Sequence, residues 1–175
     1  MNKLFIAVIA ALSIATPASA GVFEEHKHLW NTLGELGVVT HINNPDMCEG
    51  DNDGAYHPYT GDFVVCQDKA VSDKEAVWTA NDLDTIRHEA FHVLQDCLDG
   101  WEDNATLTPY NSPKTLAGFL ADSSYTLEQL KSIAAHYKSR GADNLDVVLE
   151  LEAFAAADSL SATQIANLLN RHCTN

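Results

Sequence analysis

The sequence predicts a mainly helical α+β domain, and three observations predict it. Five segments place apolar residues at helical spacing, most of them opened by side chains that cap helices. Two short runs rich in β-branched residues, Val38–Ile42 and Phe63–Cys66, both come before residue 67. Between those runs, from Asn43 to Gly61, the text is turn chemistry: Asn-Asn-Pro-Asp, Glu-Gly-Asp-Asn-Asp-Gly and Pro-Tyr-Thr-Gly.

Taken in order, residues 22–36 repeat Phe23, Leu29, Trp30, Leu33 and Leu36 at the spacing of one helix face. Val38–Ile42 follows as a short strand, and Phe63–Cys66 is the clearest strand in the chain. Thr79 or Asn81 can cap the next helix, whose early Asp82 and Asp84 suit a positive dipole end. It should run to about Leu98 and stop at Asp99-Gly100. Residues 100–113 read as irregular, with a short helical turn from Pro113 to Leu120. Thr126–Lys138 is the next helix, then one from Asp143 or Asn144 to Asp158. Ser161 with Gln164 makes a capping-box pattern for a last helix reaching about His172.

The first twenty residues have a basic start at Lys3, an apolar run from Leu4 to Leu12, and Ala18-Ser19-Ala20. That is the pattern of a signal peptide cut after Ala20, leaving residues 21–175 as one domain. The remaining chain has 9 Lys and Arg against 25 Asp and Glu, a net charge of −16 with histidine neutral. So acidic a surface argues against nucleic acid and anionic membranes as partners. Four cysteines in an exported chain suggest two disulfides. They allow three connectivities, which sequence alone does not separate. The expected set is Cys48–Cys66, closing the polar loop, with Cys97–Cys173, tying the end of a helix to the C-terminus. A cysteine-based zinc site is disfavoured, because no Cys-x-x-Cys pair exists.

The most informative stretch is His88-Glu89-Ala90-Phe91-His92, inside the helix expected from residue 79 or 81. Positions i and i+4 share a helix face, so His88 and His92 can offer two imidazoles to one metal ion. Glu89, beside the first, can act on a water instead of binding the metal. This spacing is the recipe of a zinc hydrolase. A catalytic zinc commonly takes three protein ligands. No histidine follows between Val93 and Trp101, which excludes the variant with a third histidine at short spacing. A better source is Val147–Asp158, where Glu150 and Glu152 interrupt an apolar helix.

With those residues in view, the chain resembles the gluzincin group of zinc metallopeptidases, in which a glutamate on a downstream helix completes the site. Relatives with Glu-x-Glu-Ala followed by Asp or Asn imply that the first glutamate binds zinc, here Glu150, with Glu152 as the alternative. The chain departs at Phe154, where those relatives carry Asp or Asn to support a ligand imidazole. Support would then come from elsewhere, for instance Asp158, a backbone carbonyl, or Gln95 one turn past His92. The resemblance also implies a zincin-like arrangement, with the motif helix packed against the glutamate-bearing helix and a small sheet or hairpin. In that group an extended substrate lies along an edge strand above the motif helix, and Phe63–Cys66 stands where such an edge could be, or is an ordinary core strand. A Tyr or His usually stabilises the oxyanion, which makes His136 and Tyr137 candidates. Arg87 is expected to pair with a neighbouring Asp, and His26, His28, His41, His57 and His172 receive no chemistry.

The expectation is therefore a secreted zinc peptidase, periplasmic or extracellular, acting on a peptide or protein substrate with Glu89 as general base. Its alternatives are an exported zinc-binding module without catalysis, and a helical interaction protein in which the motif is accidental.

Overall fold

The computed structural model describes residues 19–48, 50, 52–102 and 106–174. Its elements follow in the order α1 (Ser19–Glu35), β1 (Val39–Ile42), β2 (Gly54–His57), β3 (Asp62–Val65), α2 (Ala80–Asp99), α3 (Pro113–Asp122), α4 (Leu127–Ser139), α5 (Asn144–Ser159) and α6 (Ala162–His172). The mainly helical α+β class expected from the pattern is thus observed. Of the expected leader, only the last two residues fall within the described chain, where they open α1.

The sheet has the order β1-β3-β2, with β1 parallel and β2 antiparallel to β3. Two expectations change here. The tract from Asn43 to Gly61 is not turn throughout, since it holds strand β2. And β3, formed by the Phe63 run, is the central strand, paired on both sides, so it is a core strand and not an edge. Strand β2 is an edge. Gly54 explains how this strand lies where it does: a Cβ there would sit 2.6 Å from Thr85 Cγ2 and 2.7 Å from the Val64 carbonyl oxygen. Only glycine lets the chain pass that close over α2.

Helix α2 runs through the middle. Thr79 is its cap: its hydroxyl accepts from the Asp82 N–H, and the Asp82 carboxylate accepts from the Thr79 N–H. Gly100 ends it in the left-handed conformation at φ 96°. Fourteen of its twenty side chains are buried, so α2 is enclosed on nearly all faces and its polar residues must find partners inside the protein. Around it, Leu29 and Leu33 of α1, Phe63 and Val65 of β3, Ala153 and Ala156 of α5, and Ile165 and Leu169 of α6 close one core with Ile86, Phe91, Val93 and Leu94. The small side chains of α5 let its axis approach α2 closely.

Both disulfides have the expected pairing, Cys48–Cys66 and Cys97–Cys173. By the loop-closure account, loops of 18 and 76 residues contribute about 3 and about 4 kcal/mol through the unfolded state. Two disulfides fit an oxidising, extracytoplasmic compartment. No helix among the described residues is long and apolar enough to cross a membrane.

Candidate metal centre

One turn of α2 sets His88 and His92 side by side, their rings edge to face with centroids 4.9 Å apart and their Nε2 atoms 3.2 Å apart. Both are buried, 9% and 7% exposed, so they are not histidines on a solvated helix face. From α5, Glu150 closes the triangle: its Oε2 lies 3.3 Å from His88 Nε2 and its Oε1 3.7 Å from His92 Nε2. These three residues form the one cluster among the described residues whose donor atoms could hold a metal ion together.

The spacing can be tested against a metal directly. Donors bound to a tetrahedral zinc at about 2.0–2.1 Å stand about 3.3 Å from one another. The imidazole nitrogens stand 3.2 Å apart, each faces one Glu150 oxygen, at 3.3 and 3.7 Å, and one donor from each residue lies within 4.8 Å of the other two. Two imidazole nitrogens and a carboxylate converging in a buried place also require something positive among them, either a proton or a cation. Glu150 Oε2 is buried without a hydrogen-bond donor of its own. Two nitrogens and one carboxylate are a zinc-type donor set, and the residues present fit that ion.

Without metal, the proton takes the role. Burial alone would drive the His92 pKa down, but the Glu150 and Glu89 carboxylates and Gln95 outweigh it and lift the value to about 9. Burial likewise pushes the Glu150 carboxyl up, yet His88 and His92 hold it well below the usual carboxylate range.

The orientation of His92 is fixed from behind. Gln95 donates its amide to the Leu149 carbonyl, 3.1 Å, and to Glu152 Oε2, 3.0 Å. Both partners are acceptors, so the amide oxygen must be the atom that faces His92 Nδ1 at 2.7 Å. His92 therefore carries a proton on Nδ1, and its Nε2 faces the cluster, where either a proton or a metal can occupy it. Gln95 is the support that the sequence reading offered for a ligand imidazole. Asp158, offered with it, does something else: it accepts the N–H and the hydroxyl of Ser124, tying the start of α4 to the end of α5. Phe154 packs edge-on against the His88 ring, with centroids 4.5 Å apart, and holds that ring by contact.

Glu152, the alternative third ligand, points away from the histidines. It is fully buried, and besides Gln95 it accepts the backbone N–H groups of Tyr110 and Asn111 at 2.9 and 2.7 Å. Neighbouring helix positions two apart do not face together, and here one glutamate serves the cluster while the other pins the 106–112 loop.

Glu89 is buried beside His88 and lines the groove under β2 with Gly54, Ala55 and Tyr56. Tyr137 of α4 turns its hydroxyl toward Glu150; burial first, then the Glu150 and Glu89 charges, push its pKa well above the ordinary phenol value. His136 lines the adjoining groove and is exposed. Of that expected pair, Tyr137 is the one that reaches the cluster. Arg87 pairs with Asp84 as expected, and also contacts the Ala157 carbonyl and the buried ring of His26.

One neighbour escaped the sequence reading. Tyr56 of β2 donates a 2.5 Å hydrogen bond to Asp96, one residue past Gln95, and so clamps the edge strand to the motif helix. Burial raises the Asp96 carboxyl pKa against the pull of that bond. A Gly-Ala-Tyr-His strand has too little β-type alternation to announce itself. Comparison of the chain with protein-family models, with curated proteins and with solved structures gives no match.

Proposed function

We propose that the protein is a zinc-dependent peptidase working outside the cytoplasm, with His88, His92 and Glu150 holding the metal and Glu89 as general base. The observation that carries this reading is the buried convergence of two imidazole Nε2 atoms and one carboxylate at metal-ligand spacing. The order of parts supports a zincin-like arrangement: a small sheet, then the motif helix, then a helix bearing the third ligand. Two disulfides support action in an oxidising compartment.

A zinc ion held there would supply Lewis acidity, acidifying water and polarising a carbonyl. In this reading Glu89 accepts the proton of the attacking water and delivers it to the leaving nitrogen. Its burial beside His88 keeps the carboxylate close to where that water must stand. Tyr137 faces the same space from the opposite wall and donates its hydroxyl to the carbonyl oxygen as negative charge develops on it. Gln95 keeps His92 in the one tautomer that can bind a metal through Nε2.

Strand β2 supplies the bed for the substrate. The Cys66 N–H bonds the Asp53 carbonyl, which makes Asp53 and Cys66 a hydrogen-bonded pair. Gly54 and Tyr56, opposite Val65 and Phe63, therefore turn their N–H and C=O groups to the free edge. That edge borders the groove lined by His88, Glu89 and Glu150. An extended peptide can join it by strand addition, with its main chain laid across the cluster.

The test is digestion of a broad peptide library by zinc-loaded protein, with and without chelator, beside Glu89→Gln. Cleavage that chelator stops, zinc restores and Glu89→Gln lacks is the expected result. A protein that holds zinc and cleaves nothing is a binding module, and the peptidase reading falls.

A further inference from the structure

Three grooves meet at the cluster. The largest, about 620 Å³, runs past Leu107, Tyr137, Arg140 and Leu145. A second of about 260 Å³ is bordered by Asp53 and Asp84, and a third of about 240 Å³ lies under β2. Among the described residues lining all three, Arg140 is the sole Lys or Arg. In a chain with 25 acidic and 10 basic side chains, a cation in this position needs a reason.

The acids around it are committed elsewhere. Asp143 accepts the N–H groups of Leu145 and Asp146, and Asp146 accepts that of Asp143, within the cap of α5. The cation that Asp143 senses is Lys138. Glu150 serves the histidines. No ion pair between described residues involves Arg140. Its charge instead reaches the Tyr137 hydroxyl, where it opposes the nearby carboxylates. Leu107, Leu145 and Leu149 line the groove beside it with apolar surface. The result is a guanidinium with no ion pair among the described residues, in a groove whose Asp143 and Asp146 are engaged in a helix cap, while the groove bordered by Asp53 and Asp84 has no Lys or Arg among its described lining.

We propose that Arg140 receives a carboxylate of the substrate, so that the cleft selects peptides with an anionic group on the Tyr137 side of the metal. The assignment rests on the peptidase reading for its substrate class. A guanidinium binds a carboxylate through two parallel N–H donors, and the acids lining its groove already serve the α5 cap and the histidines. The groove with Asp53 and Asp84 has no Lys or Arg among its described lining to answer the same group, and that difference sets the direction of binding. The carboxylate can be the C-terminus of a short peptide or an Asp or Glu side chain.

The experiment measures binding by calorimetry, to zinc-loaded and to metal-free protein, of an N-acetylated tetrapeptide in three forms. One has a free C-terminal carboxylate, one a C-terminal amide, and one a C-terminal amide with an internal glutamate. At least one anionic form should bind about tenfold tighter than the neutral amide, the size of a charge-assisted hydrogen bond in a partly open site. Arg140→Gln should erase that difference and leave the neutral amide's affinity unchanged, Arg140→Lys should keep part of it, and added salt should shrink it. The anionic form that gains identifies the source of the carboxylate. Equal binding of all three forms, no binding of any, or a preference that survives Arg140→Gln overturns the proposal. Failure to take up zinc, or indifference of peptide affinity to zinc, counts against the peptidase reading alone, because the anion preference is read in both states.

Discussion

Glu150 and Glu152 stand two residues apart on one helix and do unrelated work. The Glu-x-Glu spacing was legible in the sequence, but periodicity alone left both in play, since either interrupts the apolar helix. The separation comes from the 106–112 loop, which brings two backbone N–H groups to Glu152 and none to Glu150. Nothing in residues 100–113 signals that path, because an irregular segment has no period to read. The consequence is testable. Glu152→Ala leaves two backbone donors and the Gln95 amide unpaired in the interior and should cost about 3 kcal/mol, seen as a lower midpoint in urea unfolding. Glu150→Ala should abolish zinc uptake with a far smaller loss of metal-free stability. Equal stability losses in the two variants would show that the roles are not divided in this way.

At the scale of elements, α2 joins every functional part to the core. The helix was plain in the sequence from its capping residues, its apolar positions and Gly100, and it forms from Thr79 to Gly100 as those signals require. Strand β2 was not legible, being four residues long and set within turn chemistry. It is held by two contacts that only the folded chain creates, the close pass of Gly54 over Thr85 and the bond from Tyr56 to Asp96. Gly54→Ala places a methyl against backbone as well as a side chain, and the strand must lift. The expected cost is about 1–3 kcal/mol, with a drop in peptide affinity exceeding any change in zinc affinity. Unchanged peptide binding in that variant would remove β2 from the account of the cleft.

At the scale of the whole molecule, the cluster couples protons to stability, and a metal held there would compete with them. In metal-free protein His92 has its pKa raised from 6.5 to about 9, so its contribution is complete below about pH 6.5 and is lost as pH rises through 9. Glu150, lowered from 4.5, contributes above that value and loses its contribution as pH falls below it. The metal-free protein should therefore lose thermal stability between pH 6.5 and 9, while the zinc-loaded protein should not, because the metal displaces the proton it competes with. Melting temperatures across that range, with chelator and with zinc, read this directly. Parallel curves would mean that zinc and the His92 proton do not share a site.

The central claim is that His88, His92 and Glu150 form a metal site in which Glu89 takes no part as ligand. Its most direct test is the zinc content of purified protein, by titration and elemental analysis, for the wild type, His88→Ala and Glu89→Gln. One zinc per chain is expected, lost in His88→Ala and kept in Glu89→Gln. A wild-type protein that binds no zinc, or a His88→Ala variant that binds it undiminished, would contradict it.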